Sequence, residues 1–337
     1  MKKAYARAGV DVDLGNRLKG GIQSLVRQTH GPQVLGKIGG FGGLFQADFP
    51  GMRHPVLVAS IDGVGTKLKI AFALNKHDTI GGDLVNHCVN DIAVLGARPL
   101  FFLDYIGCEK LKPRVFDQLI RGFSRACREA KCALIGGETA QMPGMYRKDE
   151  YDLAGTIISV VDRTQMIDGS KIRPGDIVLG MLSSGLHTNG YSLARRIFFE
   201  KMKLNPGSYI RGLRYSLGQE LLRVHKNYQP LLAKVPKGLI KGLAHITGGG
   251  LIDNLPRILP KNCDAVIETK AWQIPPIFQI LQEKGKIDCQ EMYQVFNMGI
   301  GMVAIVAEKN VAAVASILRA EKIGLVRRGT GKTRLIF

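Results

Sequence analysis

No apolar run in this 337-residue chain approaches the roughly 20 residues that cross a bilayer, so no membrane span is expected. The N-terminal MKKAYARAGVDVD has two lysines but no apolar stretch behind them, which excludes a secretory signal from the reading. The six cysteines, Cys88, Cys108, Cys127, Cys132, Cys263 and Cys289, are scattered without a CxxC pair. In a chain this long they read as reduced core thiols, not as a disulfide frame or a zinc site. A cytoplasmic protein is the expectation. The net charge is +19, yet no Arg/Lys block is interleaved with aromatics. That spread fits an enzyme of phosphorylated substrates, or a basic proteome, better than a nucleic-acid or membrane binder. Nucleotide signatures are incomplete as well. IGGFGG lacks the GxGxxG spacing, and no strong strand leads into it. GTGKT near the end has Val326 where a P-loop requires its first glycine, and only four residues follow Thr333, too few for the helix that must come next.

What is present points to two domains. The length exceeds one usual compact domain, hydrophobic residues make up 45%, and the 41 glycines allow many tight turns. The pattern divides near Asp162 to Arg173, giving residues 1–165 and 166–337. Before the divide, VLVASI, PLFFLDYI, CALIGG and LAGTIISVV read as strands. Helices are predicted after Gly65, from Asp83 to Leu95 and from Pro113 to Ala130, with Pro113 suited to a first turn. Beyond it, DIVLGMLSS, LAHI, DAVIETK, IGMVAIVAE and GLVRR read as strands. Helices are predicted from Tyr191, over Leu217 to Tyr228, after TGGG, after Pro276 and from Asn310. The tail after Arg327 is expected to be basic and exposed. Both halves mix helices and strands, with glycine loops at strand ends and no exact sequence repeat.

The chemistry concentrates in those loops. In SIDGVGTKLK, Asp62 ends a strand, Gly63 and Gly65 let a backbone approach a ligand, and Thr66 and Lys67 open a helix whose free N–H groups favour an anion. From these residues alone, a capped turn with a solvated lysine reads equally well. GGDLVNHCVNDIAVLGARP then places Asp83, Asn86, His87, Asn90 and Asp91 on one helical stripe. A solvated stripe normally carries Glu, Lys or Arg, whereas short acids and amides suit oxygen ligation of a hard cation such as Mg²⁺. Taken singly, His87 reads as a hydrogen-bonded structural histidine. IGGETAQMPGMY puts Glu138 and Thr139 after glycines at another strand end. IGGFGG supplies Gly39, Gly40, Gly42 and Gly43, as a phosphate cradle or a flap. SSGLHTNGYS, HITGGGLIDN and FNMGIGM add further backbone donors. Together these features meet the needs of a metal–nucleotide site.

In their order, DGVGTK, GGDLVNHCVNDIAVLGARP, GGETAQMPGMY, SSGLHTNGYSL, HITGGGLIDNLPR and FNMGIGM closely resemble the phosphoribosylformylglycinamidine cyclo-ligase (AIR synthetase) family. YARAGVDVDLGN near the start extends the likeness over essentially the whole chain. Selenophosphate synthetase and thiamine-monophosphate kinase share a looser pattern around Asp62 and NDIAVLGARP. The absence of a cysteine before Cys88 disfavours selenium chemistry. The resemblance implies an α+β two-domain fold: an N-terminal mixed sheet that pairs into a barrel-like homodimer, and a C-terminal α/β sandwich domain. It also implies conversion of formylglycinamidine ribonucleotide and ATP, with Mg²⁺, to aminoimidazole ribonucleotide, ADP and phosphate. A kinase-like relative acting on thiamine monophosphate is the alternative. The implied roles are Asp62 and Asp91 as metal ligands, with Asp83 and Glu138 as lesser candidates. Lys67 would bear on ATP phosphates beside Gly39, Gly40, Gly42, Gly43, Gly63, Gly65 and Thr66. Asn90, His87 and His245 would be polar or proton-handling groups near the substrate. Glu138, Thr139, Gly185, His187, Thr188, Asn189, Asn297 and Gly299 would line the substrate site. Neither nucleic acid nor membrane is an expected partner.

Overall fold

The computed structural model describes residue 7, residues 9–36 and residues 38–337. Tyr5, Ala6 and Ala8 of YARAGVDVDLGN lie outside the described residues. The chain forms two compact units. One comprises the described residues up to Ile92 with Arg98–Asp162, and the other Ala93–Ala97 with Arg163–Phe337.

The first unit is built on four strands, β1 (Pro55–Gly63), β2 (Arg98–Cys108), β3 (Ala133–Gln141) and β4 (Tyr151–Asp162). Their order is β1-β4-β2-β3, with β2 and β3 parallel and the other neighbours antiparallel. A parallel pair needs a crossover, and helix Pro113–Glu129 provides it, with proline at its start as the sequence predicts. This helix buries Phe116, Leu119, Ile120, Phe123, Ala126 and Cys127. Helix Ile80–Ala93 begins three residues earlier than predicted and is buried along nearly its whole length. The two helices touch backbone to backbone: a Cβ on Gly81 would lie 2.5 Å from both Leu119 O and Phe123 N. Close approach of this kind is what glycine permits. Gly155 of β4 likewise makes room for Phe102 and Leu84, seating the first helix on the sheet.

The helices cover one sheet face. On the other, Ala59, Ile158 and Phe101 form one cross-strand row, and Ile61, Thr156 and Leu103 the next. Leu57 and Ile61 are 63% and 67% exposed. Apolar runs such as VLVASI predict a sheet covered on both faces. Within the chain, β1 instead alternates and exposes Leu57 and Ile61, while Phe45 packs on Phe101 of the same face with ring centroids 5.3 Å apart.

The second unit carries a six-stranded sheet in the order β10-β7-β9-β5-β8-β6. Its strands are β5 (Ile177–Leu182), β6 (Ile240–His245), β7 (Cys263–Glu268), β8 (Ile300–Val306), β9 (Ala320–Arg328) and β10 (Thr333–Ile336). Only β10 and β7 run parallel. β8 is buried at every residue and anchors a core of Leu179, Met181, Leu243, Met302, Ala304 and Leu318. Neither sheet closes on itself.

The tail after Arg327 has no buried residue, as expected, and it also forms a strand: Thr333–Ile336 pairs with β7, and Thr269 N–H donates to Ile336 O at 2.9 Å. The helix predicted over Leu217 to Tyr228 stops at Leu221, and residues 223–228 run irregularly. That segment is tied to the end of β5 instead, because Ser184 Oγ donates to Val224 O, and Lys226 Nζ and Tyr228 Oη donate to Leu182 O. A helix over Cys289–Val295, capped by Asp288, went unread in the sequence. The six cysteines are free thiols, five of them buried. Among the described residues no helix is long and apolar enough to cross a membrane.

Candidate active site

In the first unit, the end of β1 meets helix Ile80–Ala93. Asp62 pairs with Gly155 of β4, a position without a side chain, so its carboxylate reaches the helix face. His87 Nε2 lies 2.9 Å from Asp62 Oδ2 and 3.9 Å from Asp91 Oδ2. Ser60 Oγ donates to Asp91 Oδ2 at 3.3 Å, and Gly63 N–H donates to Asp62 Oδ1 at 2.6 Å. Burial would lower the basicity of His87. The hydrogen bond to Asp62 and the charges of Asp91, Asp62 and Asp83 outweigh it and hold the imidazole above its ordinary pKa. The helix spacing predicted for the polar stripe is therefore realised, and it is turned inward: Asp83, Asn86, His87 and Asn90 are all buried. Only the carboxylates of Asp62 and Asp91 keep substantial exposure, 39% and 28%.

Lys67 departs from the reading of an accessible phosphate ligand. Gly65–Lys67 form a single 3₁₀ turn before helix Leu68–Leu74, and the lysine is fully buried. Its ammonium donates to Asp83 Oδ1 at 2.8 Å. Burial pulls the Lys67 pKa down, against the charge of Asp83 that pulls it up. Asp83, expected among the metal candidates, is thereby engaged by an ammonium of its own chain. The physical reason is three-dimensional: the helix delivers a carboxylate to the lysine at the depth where an unpaired charge is costly.

The remaining N-terminal expectations lie apart from this cluster. Gly39, Gly40, Gly42 and Gly43 sit on an exposed loop closed by the Val34–Phe45 bridge, with Leu35 N–H donating to Leu44 O at 2.9 Å. A Cβ on Gly43 would meet the Ile135 side chain, so this loop packs on β3. Glu138 accepts from Thr139 N–H at 2.6 Å and lies 3.9 Å from Lys19 Nζ. Thr139 and Lys19 line a groove of about 320 Å³ with Asp11, Asn16 and Gln141.

In the second unit the glycine loops converge. Asn297 Nδ2 donates to Gly185 O at 2.8 Å, while its Oδ1 accepts from Gly299 N–H at 2.8 Å and Ser183 Oγ at 3.1 Å. One buried amide thus clasps SSGLHTNG to FNMGIGM. Asn189 approaches the third loop, since a Cβ on Gly248 would lie 3.3 Å from its Oδ1. His187 and Met298 adopt left-handed backbone, φ 60° and 49°, which costs a non-glycine residue about 1 kcal/mol and recurs at functional loops. His187, His225 and His245 form a buried cluster with ligand atoms within 4.8 Å of one another. His225 is the member of this cluster that sequence reasoning missed. It stands in RVHKNY, with no glycine, spacing or stripe to mark it.

With two layered α+β units and acid, imidazole and glycine-loop clusters at strand ends, the chain has the architecture of the AIR synthase-related proteins. Residues 52–161 match that family's N-terminal domain and residues 173–333 its C-terminal domain. Thiamine-monophosphate kinase from Stenotrophomonas maltophilia superposes with a TM-score of 0.65 at 18% identity, covering 96% of this chain and 95% of that one. The hydrogenase maturation protein HypE in complex with ATP superposes with 0.65 at 21%, covering 95% and 90%. At these identities the likeness establishes fold alone. Sequence relatives are far more similar. Phosphoribosylformylglycinamidine cyclo-ligase of Syntrophotalea carbinolica is 53% identical over 308 residues, 91% of this chain and 88% of the relative. The enzymes of that name from Syntrophus aciditrophicus and Geobacillus kaustophilus are 50% and 51% identical over 337 residues, 98% of this chain and 97% of each relative. The chain belongs to the AIR synthase family, on its phosphoribosylformylglycinamidine cyclo-ligase branch.

Proposed function

We propose that this protein is a phosphoribosylformylglycinamidine cyclo-ligase, closing the imidazole ring of aminoimidazole ribonucleotide with conversion of ATP to ADP and phosphate. The observation that carries the reading is identity of about half to enzymes of that name along 98% of the chain. Thiamine-monophosphate kinase resembles the chain at 18% identity, so that alternative rests on fold alone. The enzyme acts in the cytoplasm, in purine biosynthesis.

An amide oxygen leaves poorly; as a phosphate it leaves well. The protein must therefore hold the γ-phosphoryl group against that oxygen, then hold the amidine nitrogen against the activated carbon. Asp62 and Asp91 are the metal ligands. They are hard oxygen donors and partly exposed, which suits Mg²⁺. When bound there, Mg²⁺ supplies charge neutralisation for the triphosphate. The buried Lys67–Asp83 pair fixes the turn that follows β1 to the helix and so helps to set the spacing of Asp62 from Asp91. Asn90 and His87 keep that helix face polar. The exposed glycine loop at residues 39–43 and the groove beside Thr139 contribute nucleotide or substrate contacts. In the second unit, backbone N–H groups of the clasped loops, with Thr188 and Asn189, orient the ribonucleotide phosphate. His187 and His245 handle the proton that the attacking amidine nitrogen gives up.

The active form is a homodimer in which the open faces of two N-terminal sheets join into a barrel-like interface. Leu57 and Ile61, exposed within one chain, support it. The deciding assay for the function is ATP hydrolysis with formylglycinamidine ribonucleotide or thiamine monophosphate as co-substrate. Dependence on the first supports the reading, and dependence on the second replaces it with the kinase.

A further inference from the structure

Residues 185–190, the loop that carries Thr188 and Asn189, are gripped at both ends by one other segment. Gly185 O accepts from Asn297 Nδ2 at 2.8 Å and from Ser183 Oγ at 3.0 Å. At the far end a Cβ on Gly190 would lie 2.3 Å from the Phe296 ring, so only glycine lets that ring close on the loop. Residues 296–299 therefore hold the start of the loop through an amide and its end through a ring.

The gripping segment is itself in an unfavourable backbone conformation. Met298 and Gly299 are both left-handed, at φ 49° and 98°. A methionine resists that region, and such a conformer persists only where its surroundings over-determine it. Four hydrogen bonds do so here. Met298 O accepts from Trp272 Nε1 at 2.9 Å, and Gly299 N–H donates to Asn297 Oδ1 at 2.8 Å. Gly299 O accepts from Ser183 N–H at 2.8 Å, and Ile300 N–H donates to Asn297 O at 2.9 Å. Of these four, the Trp272 bond alone is supplied from outside the two loops. Trp272 follows β7, is 5% exposed and meets Tyr293 edge-on at 6.3 Å between ring centroids.

These bonds divide the two loops by role. The peptide between Met298 and Gly299 has both of its polar groups bonded inside the protein, so this segment acts on a ligand through the loop it grips. That loop differs. Asn189 Nδ2 is buried and makes no hydrogen bond among the described residues. A buried unpaired donor is costly, and an oxygen-rich ligand such as a phosphate relieves it. Leu186 N–H, opposite a carbonyl that Asn297 holds inward, faces away from the clasp. We propose that Trp272 is a positioning residue for the ribonucleotide: its indole N–H holds Met298 left-handed, which seats Asn297 on Gly185 and presets the donors of residues 185–190. This rests on the cyclo-ligase reading for the identity of the ligand. The coupling is reciprocal. If the indole bond favours the binding-competent loop, a ligand on that loop strengthens the indole bond by the same factor.

The test uses the full chain. Its single tryptophan gives one indole ¹H–¹⁵N signal. Ribose 5-phosphate is the probe, since it carries sugar and phosphate without the reacting amidine. At saturation it should slow solvent exchange of the indole proton at least about fivefold, whereas ribose should leave it unchanged. Equal slowing by ribose, or none by either, overturns the proposal. Trp272→Phe keeps a ring against Tyr293 and removes the hydrogen bond. The expected result is a KM for formylglycinamidine ribonucleotide about 10-fold higher, with kcat and KM for ATP within about twofold. Adding Met298→Gly removes the resistance to left-handed backbone and should recover most of that KM. A tryptophan that served stability alone would lower the melting temperature without this split or this rescue. A folded Trp272→Phe with wild-type KM overturns the proposal, as does a KM loss that Met298→Gly leaves in place. Should Trp272→Phe not fold, indole exchange in wild type still decides. Should wild type show no turnover with formylglycinamidine ribonucleotide, the assigned reaction falls, while exchange with ribose 5-phosphate continues to test Trp272.

Discussion

Lys67 enters the chain at a helix start, where a cation opposes the helix dipole and an anionic ligand would relieve it. The fold relieves it internally, with Asp83 at 2.8 Å and both groups without solvent exposure. Lys67→Met therefore leaves a carboxylate buried without its ammonium, and the expected loss of stability is about 3 kcal/mol or more. Restoring compatibility with Lys67→Met plus Asp83→Leu should recover much of that loss. Urea midpoints of the two variants check both statements, and an unchanged single variant would remove the pair from the stability of the fold. Asp91 is a different case, since its carboxylate is 28% exposed and shares His87 with Asp62. Asp91→Asn keeps the shape and the Ser60 hydrogen bond while removing one of two negative charges. Cyclo-ligase turnover at saturating Mg²⁺ should fall at least about 100-fold, with a melting temperature close to wild type. Near-normal turnover would take Asp91 out of the metal site. The sequence named both residues, but which charge is internal and which faces solvent depends on depth, which residue type does not encode.

Between single residues and the whole chain, the turn linking β9 to β10 shows how an element can imitate a motif. GTGKT offers the backbone N–H groups of a phosphate loop, and a carboxylate of this chain occupies them. Asp264 Oδ1 accepts from Thr330 N–H at 2.6 Å and Lys332 N–H at 2.9 Å, and Oδ2 accepts from Arg334 Nε at 2.6 Å. The Lys332 N–H, the Thr330 N–H and Arg334 hold the Asp264 pKa down at about 2. A carboxyl whose pKa is depressed by folding contributes stability above its unfolded pKa, and that stability disappears as pH falls through the folded value. Asp264→Asn should therefore cost about 1–2 kcal/mol at pH 7. The gap between mutant and wild type should close as pH drops from about 4 to about 2. Urea midpoints across that range check it, and a gap independent of pH would assign the effect to packing. The segment at residues 223–228 shows the converse. Its sequence reads as the end of a helix, yet bonds to Leu182 and Ser184 hold it irregular and carry His225 into the cluster. Local propensity was overridden by partners about 40 residues away in sequence.

For the molecule as a whole, the exposed Leu57 and Ile61 of β1 lead to a prediction of assembly. Light scattering at low micromolar concentration should give twice the chain mass. Leu57→Asp with Ile61→Asp places charge on their sheet face without touching the helix-covered side, and should yield a folded monomer. A wild-type monomer that turns over would defeat the homodimer. The sequence by itself determined the mixed helix and strand content, the crossover helix from Pro113, the polar stripe of Asp83, Asn86, His87, Asn90 and Asp91, and the family. Each of these is written in local periodicity or in the spacing of short motifs. Only the tertiary structure decided that Lys67 answers Asp83, that Asp264 fills the GTGKT turn, that the last residues pair with β7, and that His225 stands beside His245. Those four depend on burial and on contacts between distant segments, and a group's charge, tautomer and partner are set by what surrounds it in space.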